Sequence, residues 1–245
     1  MRIRRSVFLL FPLLSYLPVL AQVEEAWVSR YDCPPHSFDI ANVLAVDING
    51  NVYVTGLSFG SNNCDEAAII KYSPDGDFLW VRGYGPQNCL NETYAIGVDD
   101  SGNVYVTGES CADILTIKYS PNGDTSWIKY YNGPADYFDL ARTLAVDKDR
   151  NVYVAGYSFG TLTSADFTTI KYAPNGDTIW IRRYNKGGAT DLVVDMDGNA
   201  HVTGIGYDST SLYDFLTIKY KINGDTSWAR RYNGPTNSRD EPNAI

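Results

Sequence analysis

Two segments set oxygen donors at alternate positions, Asp47-Ile48-Asn49-Gly50-Asn51 and Asp195-Met196-Asp197-Gly198-Asn199. Alternating carboxylates and amides suit a hard divalent cation, and the pattern begins as a calcium loop does. It stops there, because Ser58 and Gly206 stand where the closing Glu belongs and Arg150 replaces the glycine in a third copy. Both segments therefore read as hairpin turns in which Asp accepts backbone donors. Asp65, Asp113, Asp166 and Asp214 recur at one place in a repeated phrase, which suits structural acceptors better than catalytic acids. Lys71, Lys118, Lys171 and Lys219, with Arg182, Arg183, Arg230 and Arg231, form a cationic series. It reads as outer-strand side chains that lay their stems over aromatic surface and deter edge pairing. His36 lies alone beside Cys33, and His201 fills a slot held elsewhere by Tyr53, Tyr105 and Tyr153. Cys33, Cys64, Cys89 and Cys111 lack the close spacing of a zinc site. There is no G-x-S-x-G, HExxH or phosphate loop, so no catalytic residue, metal or cofactor is assigned.

The elements that carry these residues are short strands. The chain has 245 residues, 44% hydrophobic and 13% aromatic, with 19 Tyr, 21 Gly and 11 Pro, a balance that favours strands and tight turns over helices. Residues 1–21 differ: Arg2, Arg4 and Arg5 precede an apolar run from Val7 to Leu20 that carries two prolines, which reads as a secretory signal peptide. The run falls short of the ~20 residues a membrane span needs. A net charge of −9, more acidic once the leader is removed, opposes nucleic acid and anionic membrane.

The remainder is an internal repeat. Trp27, Trp80, Trp127, Trp180 and Trp228 fall in register, and the phrases NVYVTG, NVYVTG, NVYVAG and NAHVTG recur between them. Each is followed by AAIIKY, ILTIKY, FTTIKY or FLTIKY, then by PDGD, PNGD, PNGD or INGD and a Trp strand. One repeat reads as four antiparallel strands, A to D, with hairpins between A and B and between C and D. A four-stranded unit of this length must be flanked by its own kind to bury both faces, which predicts an all-β propeller blade. A stacked β-solenoid is the alternative, though its rungs are usually shorter.

GNVYVTG, preceded by LAVD and followed by a C strand and a DG or NG turn, resembles the bacterial SBBP repeat and, more distantly, the NHL repeat. The resemblance implies propeller blades on secreted and cell-surface proteins and is nearly silent on activity. The DxxTIKYxPNGDxxW wording departs from the commoner family phrase.

Blades are expected at about 39–84, 91–131, 139–184 and 187–232, with a lone D strand at 27–31 and a partial blade at 240–245. That arrangement leads us to expect a fragment of a larger propeller, a four-bladed ring being the alternative. Cys33 and Cys89 lie in D–A connections and Cys64 and Cys111 in the B–C connections of the same two blades. These connections emerge on one face, so the expected disulfides are Cys33–Cys64 and Cys89–Cys111. Asn91-Glu92-Thr93 fits a glycosylation sequon.

The expected function is a secreted or cell-surface, non-enzymatic module that binds a protein or glycan on the loop face, through Phe59, Tyr84, Tyr137, Phe138, Phe159 and Tyr207. The periplasm is an alternative location. A propeller lyase or glycan hydrolase is the alternative function. It requires non-repeated acids, histidines or cation ligands converging on the central channel, and the sequence shows none.

Overall fold

A computed structural model describes residues 25–33, 38–59, 65–161, 165–184, 186–207, 213–235, 240, 242 and 244. The leader lies outside this set, as do His36 and Cys64. Sixteen strands form four antiparallel sheets of four, each paired in chain order, with no helix among the described residues. The first sheet holds β1 (Asp39–Val46), β2 (Val52–Phe59), β3 (Asp65–Tyr72) and β4 (Phe78–Tyr84). The second holds β5 (Asn91–Val98), β6 (Val104–Ser110), β7 (Asp113–Tyr119) and β8 (Thr125–Tyr131). The third holds β9 (Asp139–Val146), β10 (Val152–Phe159), β11 (Ala165–Tyr172) and β12 (Thr178–Tyr184). The fourth holds β13 (Gly187–Val194), β14 (Ala200–Gly206), β15 (Asp214–Tyr220) and β16 (Thr226–Tyr232). This is an all-β propeller architecture.

Each hairpin between the first two strands of a sheet is tied by its Asp. In the first sheet, the Asp47 carboxylate accepts the amides of Asn49 and Asn51, the Asn51 side chain and the Tyr53 hydroxyl. Burial pushes the Asp47 carboxyl up, but those hydrogen bonds outweigh it and hold the group below the usual carboxylate range. Asp99 and Asp147 repeat the arrangement, and in the fourth sheet His201 replaces the tyrosine, its Nε2 lying 3.2 Å from Asp195.

The core lies between sheets rather than within them. Tyr53, Ile69 and Trp80 of the first sheet pack with Val106, Ile117 and Tyr119 of the second. Equivalent clusters join the second to the third and the third to the fourth. The first sheet is different, because its outer face has no such neighbour among the described residues. Leu44 and Val46 are 60% and 57% exposed, whereas their equivalents Leu144 and Val146 pack into a core cluster.

Two cations depart from expectation. Strand C is the third of four, and Lys71 and Lys171 on it are buried rather than guarding an outer edge. Their amines lie 5.0 and 4.7 Å from the Tyr53 and Tyr153 ring centroids and donate to the carbonyls of Pro121 and Ile222 in the next sheet. They clasp neighbouring blades together. Residues 25–33 form no strand, although the Trp27 indole donates to the Pro74 carbonyl at 3.1 Å.

Candidate functional site

The site begins with a glycine. At Gly56, Gly108, Gly156 and Gly204, a Cβ would stand 1.9–2.1 Å from a carbonyl oxygen of the strand alongside. Only glycine admits that approach, and the partner strand bulges there by one residue. The residues left out of register are Asn42, Tyr94, Arg142 and Thr190. A bulge re-aims its side chain, and all four residues line one cavity of about 1020 Å³. A repeated glycine thus delivers four different side chains to one place.

Aromatic rings complete the wall: Tyr137, Phe138, Tyr157, Phe159, Tyr207 and Tyr213. Phe159 stands edge-on to Tyr137 at 5.2 Å and to Tyr157 at 6.2 Å, and Tyr207 edge-on to Tyr213 at 5.9 Å. Of the aromatic residues expected to bind, Tyr137, Phe138, Phe159 and Tyr207 meet here. Phe59 packs instead on Phe38, and the Tyr84 hydroxyl bonds that of Tyr130, so neither lines the cavity.

Behind Tyr94 lie two acids that sequence reasoning missed. Glu92 and Glu109 are directly opposed on β5 and β6. The Tyr94 hydroxyl lies 2.8 Å from Glu92 Oε2 and 3.3 Å from Glu109 Oε1. Glu92 also accepts the Asn42 amide at 2.7 Å. Glu109 is 2% exposed, and its Oε2 has no hydrogen-bond partner among the described residues. Burial, and next to it the Glu92 charge, push its carboxyl above the usual range, while Arg142 and the Tyr94 bond pull the other way. The sequence reading found no non-repeated cluster of acids, and Glu92 and Glu109 form such a pair beside the bulged strands. The available signal was departure from the repeat at fixed register, since Glu109 stands where Leu57, Tyr157 and Ile205 stand in the other repeats.

Two of the recurring acids before strand C, Asp166 and Asp214, are held in ion pairs. Asp166 pairs with Arg183 at 2.9 Å and Asp214 with Arg231 at 3.3 Å. Cys89 and Cys111 form the expected disulfide across the second sheet's two connections, Cα atoms 4.9 Å apart. The Cys33–Cys64 pairing falls on a residue outside the described set. The Asn91 sequon is corrected: Asn91 is fully buried and its amide donates to the carbonyls of Pro86 and Cys89, which leaves no access for a glycan. No group of three or more possible metal ligands occurs, and no helix is long and apolar enough to cross a membrane, among the described residues.

Residues 88–115, which hold β5, β6 and the start of β7, match the SBBP family, a beta-propeller repeat. No curated protein matches the sequence significantly. Among solved structures, the Dos1 propeller superposes with a TM-score of 0.50 at 11% identity, over 78% of this chain and 47% of that one. A protein of unknown function from Bacteroides caccae gives 0.46 at 12% identity, over 79% and 82%. An ulvan lyase of polysaccharide lyase family PL25 gives 0.47 at 10% identity, over 77% and 56%. The chain thus spans about half the length of two of these three. At such identities the likeness is one of fold.

Proposed function

We propose that this protein is a secreted or cell-surface propeller that binds a short glycan in the cavity beside its bulged strands. One observation carries the reading: seven aromatic rings, counting Tyr94, converge with Asn42, Arg142 and Thr190 on one concave space of about 1020 Å³. That volume is at the upper end of ligand pockets, roughly 300–1,000 Å³. Flat rings offer apolar contact to the faces of sugar rings at little entropic cost, and hydroxyl and amide groups orient them. A protein interface would ask for a broader and less concave surface. The Cys89–Cys111 disulfide and the leader expected at 1–21 support export.

The test is binding of residues 22–245 to an immobilised panel of neutral, carboxylated and sulfated oligosaccharides. Saturable binding that weakens on Tyr157→Ala supports the reading, and no binding to any member defeats it.

A second reading, cleavage of the bound glycan, has the opposed Glu92 and Glu109 behind it, since paired carboxylates can divide acid and base roles. Neither carboxylate lines the cavity, which favours binding. New reducing or unsaturated ends on a bound oligosaccharide, lost in Glu109→Gln, would establish cleavage instead.

A further inference from the structure

Arg142 is the charged residue among the described residues that line the cavity. It owes that position to the β9 bulge opposite Gly156. Its guanidinium carbon lies 5.6 Å from the Tyr94 ring centroid, a cation–π contact that steadies the group at the cavity wall. It faces the Tyr157 hydroxyl. It forms no ion pair among the described residues, whereas Arg183 and Arg231 each find an Asp.

The neighbouring acids make no ion pair with it among the described residues, although its charge is felt at Glu109. Glu92 is engaged by Asn42 and Tyr94, and Glu109 is buried behind the Tyr94 hydroxyl. The chain carries 29 acids against 20 Lys and Arg, so partners for a cation are plentiful. An arginine held out of pairing, on a ring and inside an aromatic cavity, is a receptor for an anion. Its planar fork matches carboxylate and sulfate oxygens, which a lysine meets only as a point charge.

We propose that the cavity selects glycans bearing carboxylate or sulfate groups, and that Arg142 reads the anionic group while the surrounding rings hold the sugar. This rests on the glycan-binding reading above and adds the ligand's charge class.

The test uses the same panel, with each acidic oligosaccharide matched to a neutral one of the same backbone, against wild type, Arg142→Lys and Arg142→Gln. The expected result is at least tenfold tighter binding of acidic members by wild type. Arg142→Gln should abolish the preference and Arg142→Lys should retain part of it. Binding confined to either the carboxylated or the sulfated arm identifies the group and supports the proposal equally. Equal wild-type binding of matched neutral and acidic members overturns the proposal, as does an unchanged preference in Arg142→Gln. Both outcomes leave the glycan-binding reading standing. Failure to bind any member overturns both. The wild-type comparison decides the matter even where a variant fails to fold.

Discussion

Trp180 of the third sheet donates its indole N–H to the carbonyl oxygen of Ile222, in the last hairpin of the fourth sheet, at 3.1 Å. Trp80 and Trp127 make the same bond to Pro121 and Pro174, so each sheet is stapled to its successor at one register. The indole also packs on Tyr220, 5.9 Å between centroids, and Arg182 lies over its other side. The repeat's tryptophan therefore joins blades as well as packing on a tyrosine of its own sheet, Tyr153 in the case of Trp180.

Replacing Trp180 by Phe keeps most of the packing and removes the donor, which should cost about 1–2 kcal/mol. Trp180→Ala should cost ~3–5 kcal/mol. Trp228 has the His201 ring at 6.1 Å and no such carbonyl among the described residues, so Trp228→Phe should change stability by less than ~0.5 kcal/mol. Urea titration of the three variants checks the order.

The disulfide gives a second measure. Cys89 and Cys111 are separated by 22 residues, and on the loop-entropy account breaking such a bridge removes ~2–4 kcal/mol. A Cys89→Ala, Cys111→Ala double variant should lower the thermal midpoint by several degrees. Mapping of non-reduced peptides should recover Cys89 linked to Cys111, and Cys64 linked to Cys89 would contradict the structure.

Arg150 occupies the turn position that Gly50, Gly102 and Gly198 hold elsewhere, with φ of +63° against +81°, +77° and +78°. A side chain in that region costs ~1–2 kcal/mol. Burial lowers the proton affinity of Lys118 in the neighbouring sheet, and Arg150 adds to it, a like-charge contact that gains nothing. Arg150→Gly should therefore stabilise the protein by roughly 1 kcal/mol, read as a higher urea midpoint with unchanged slope.

These turns show what the sequence made legible. Aspartates, glycines and β-branched runs repeat at fixed spacing, so strand order, hairpins and blade form could be read from local chemistry. The cavity could not. Asn42, Tyr94, Arg142 and Thr190 share nothing but a register, and what unites them is a bulge forced from the facing strand by a glycine without room for a Cβ. Lys71 and Lys171 depart from expectation for a related reason: their partners are carbonyls in the next repeat, about fifty residues along. Tyr84 and Phe59 have the same composition signal as Tyr137 and Phe159, and only tertiary position separates them.

Glu109 should make stability depend on pH. Its folded carboxyl titrates above its unfolded one, so the folded state holds the proton more tightly. Its contribution is fully present below the ordinary Glu value, about 4.3, and is lost as pH rises through the higher folded value. Glu92 and Tyr94 on β5, Arg142 on β9 and Tyr157 on β10 are the charged or titratable groups that face this region. Glu109→Gln keeps the shape and removes the ionisation. It should raise the thermal midpoint near pH 8 and leave it nearly unchanged near pH 4, and equal shifts at both values would refute the assignment.

The aromatic wall allows a test that separates binding from stability. Tyr137 is 64% exposed yet stands edge-on to Phe159 at 5.2 Å, inside the cavity. A ring so exposed buries little area on folding, so Tyr137→Ala should leave the thermal midpoint within a degree or two of wild type. Its contact with a bound sugar would be worth about 1 kcal/mol or somewhat more, on the scale of aromatic pair contacts, which is roughly a five- to tenfold loss of affinity. Phe59 is the control, because it ends β2 as Phe159 ends β10 but packs on Phe38 away from the cavity. Phe59→Ala should not alter affinity for any glycan that wild type retains. Calorimetry on the two variants gives the answer: a loss at Tyr137 with none at Phe59 locates binding in the cavity, and equal losses, or a loss at Phe59 alone, place it elsewhere on the loop face.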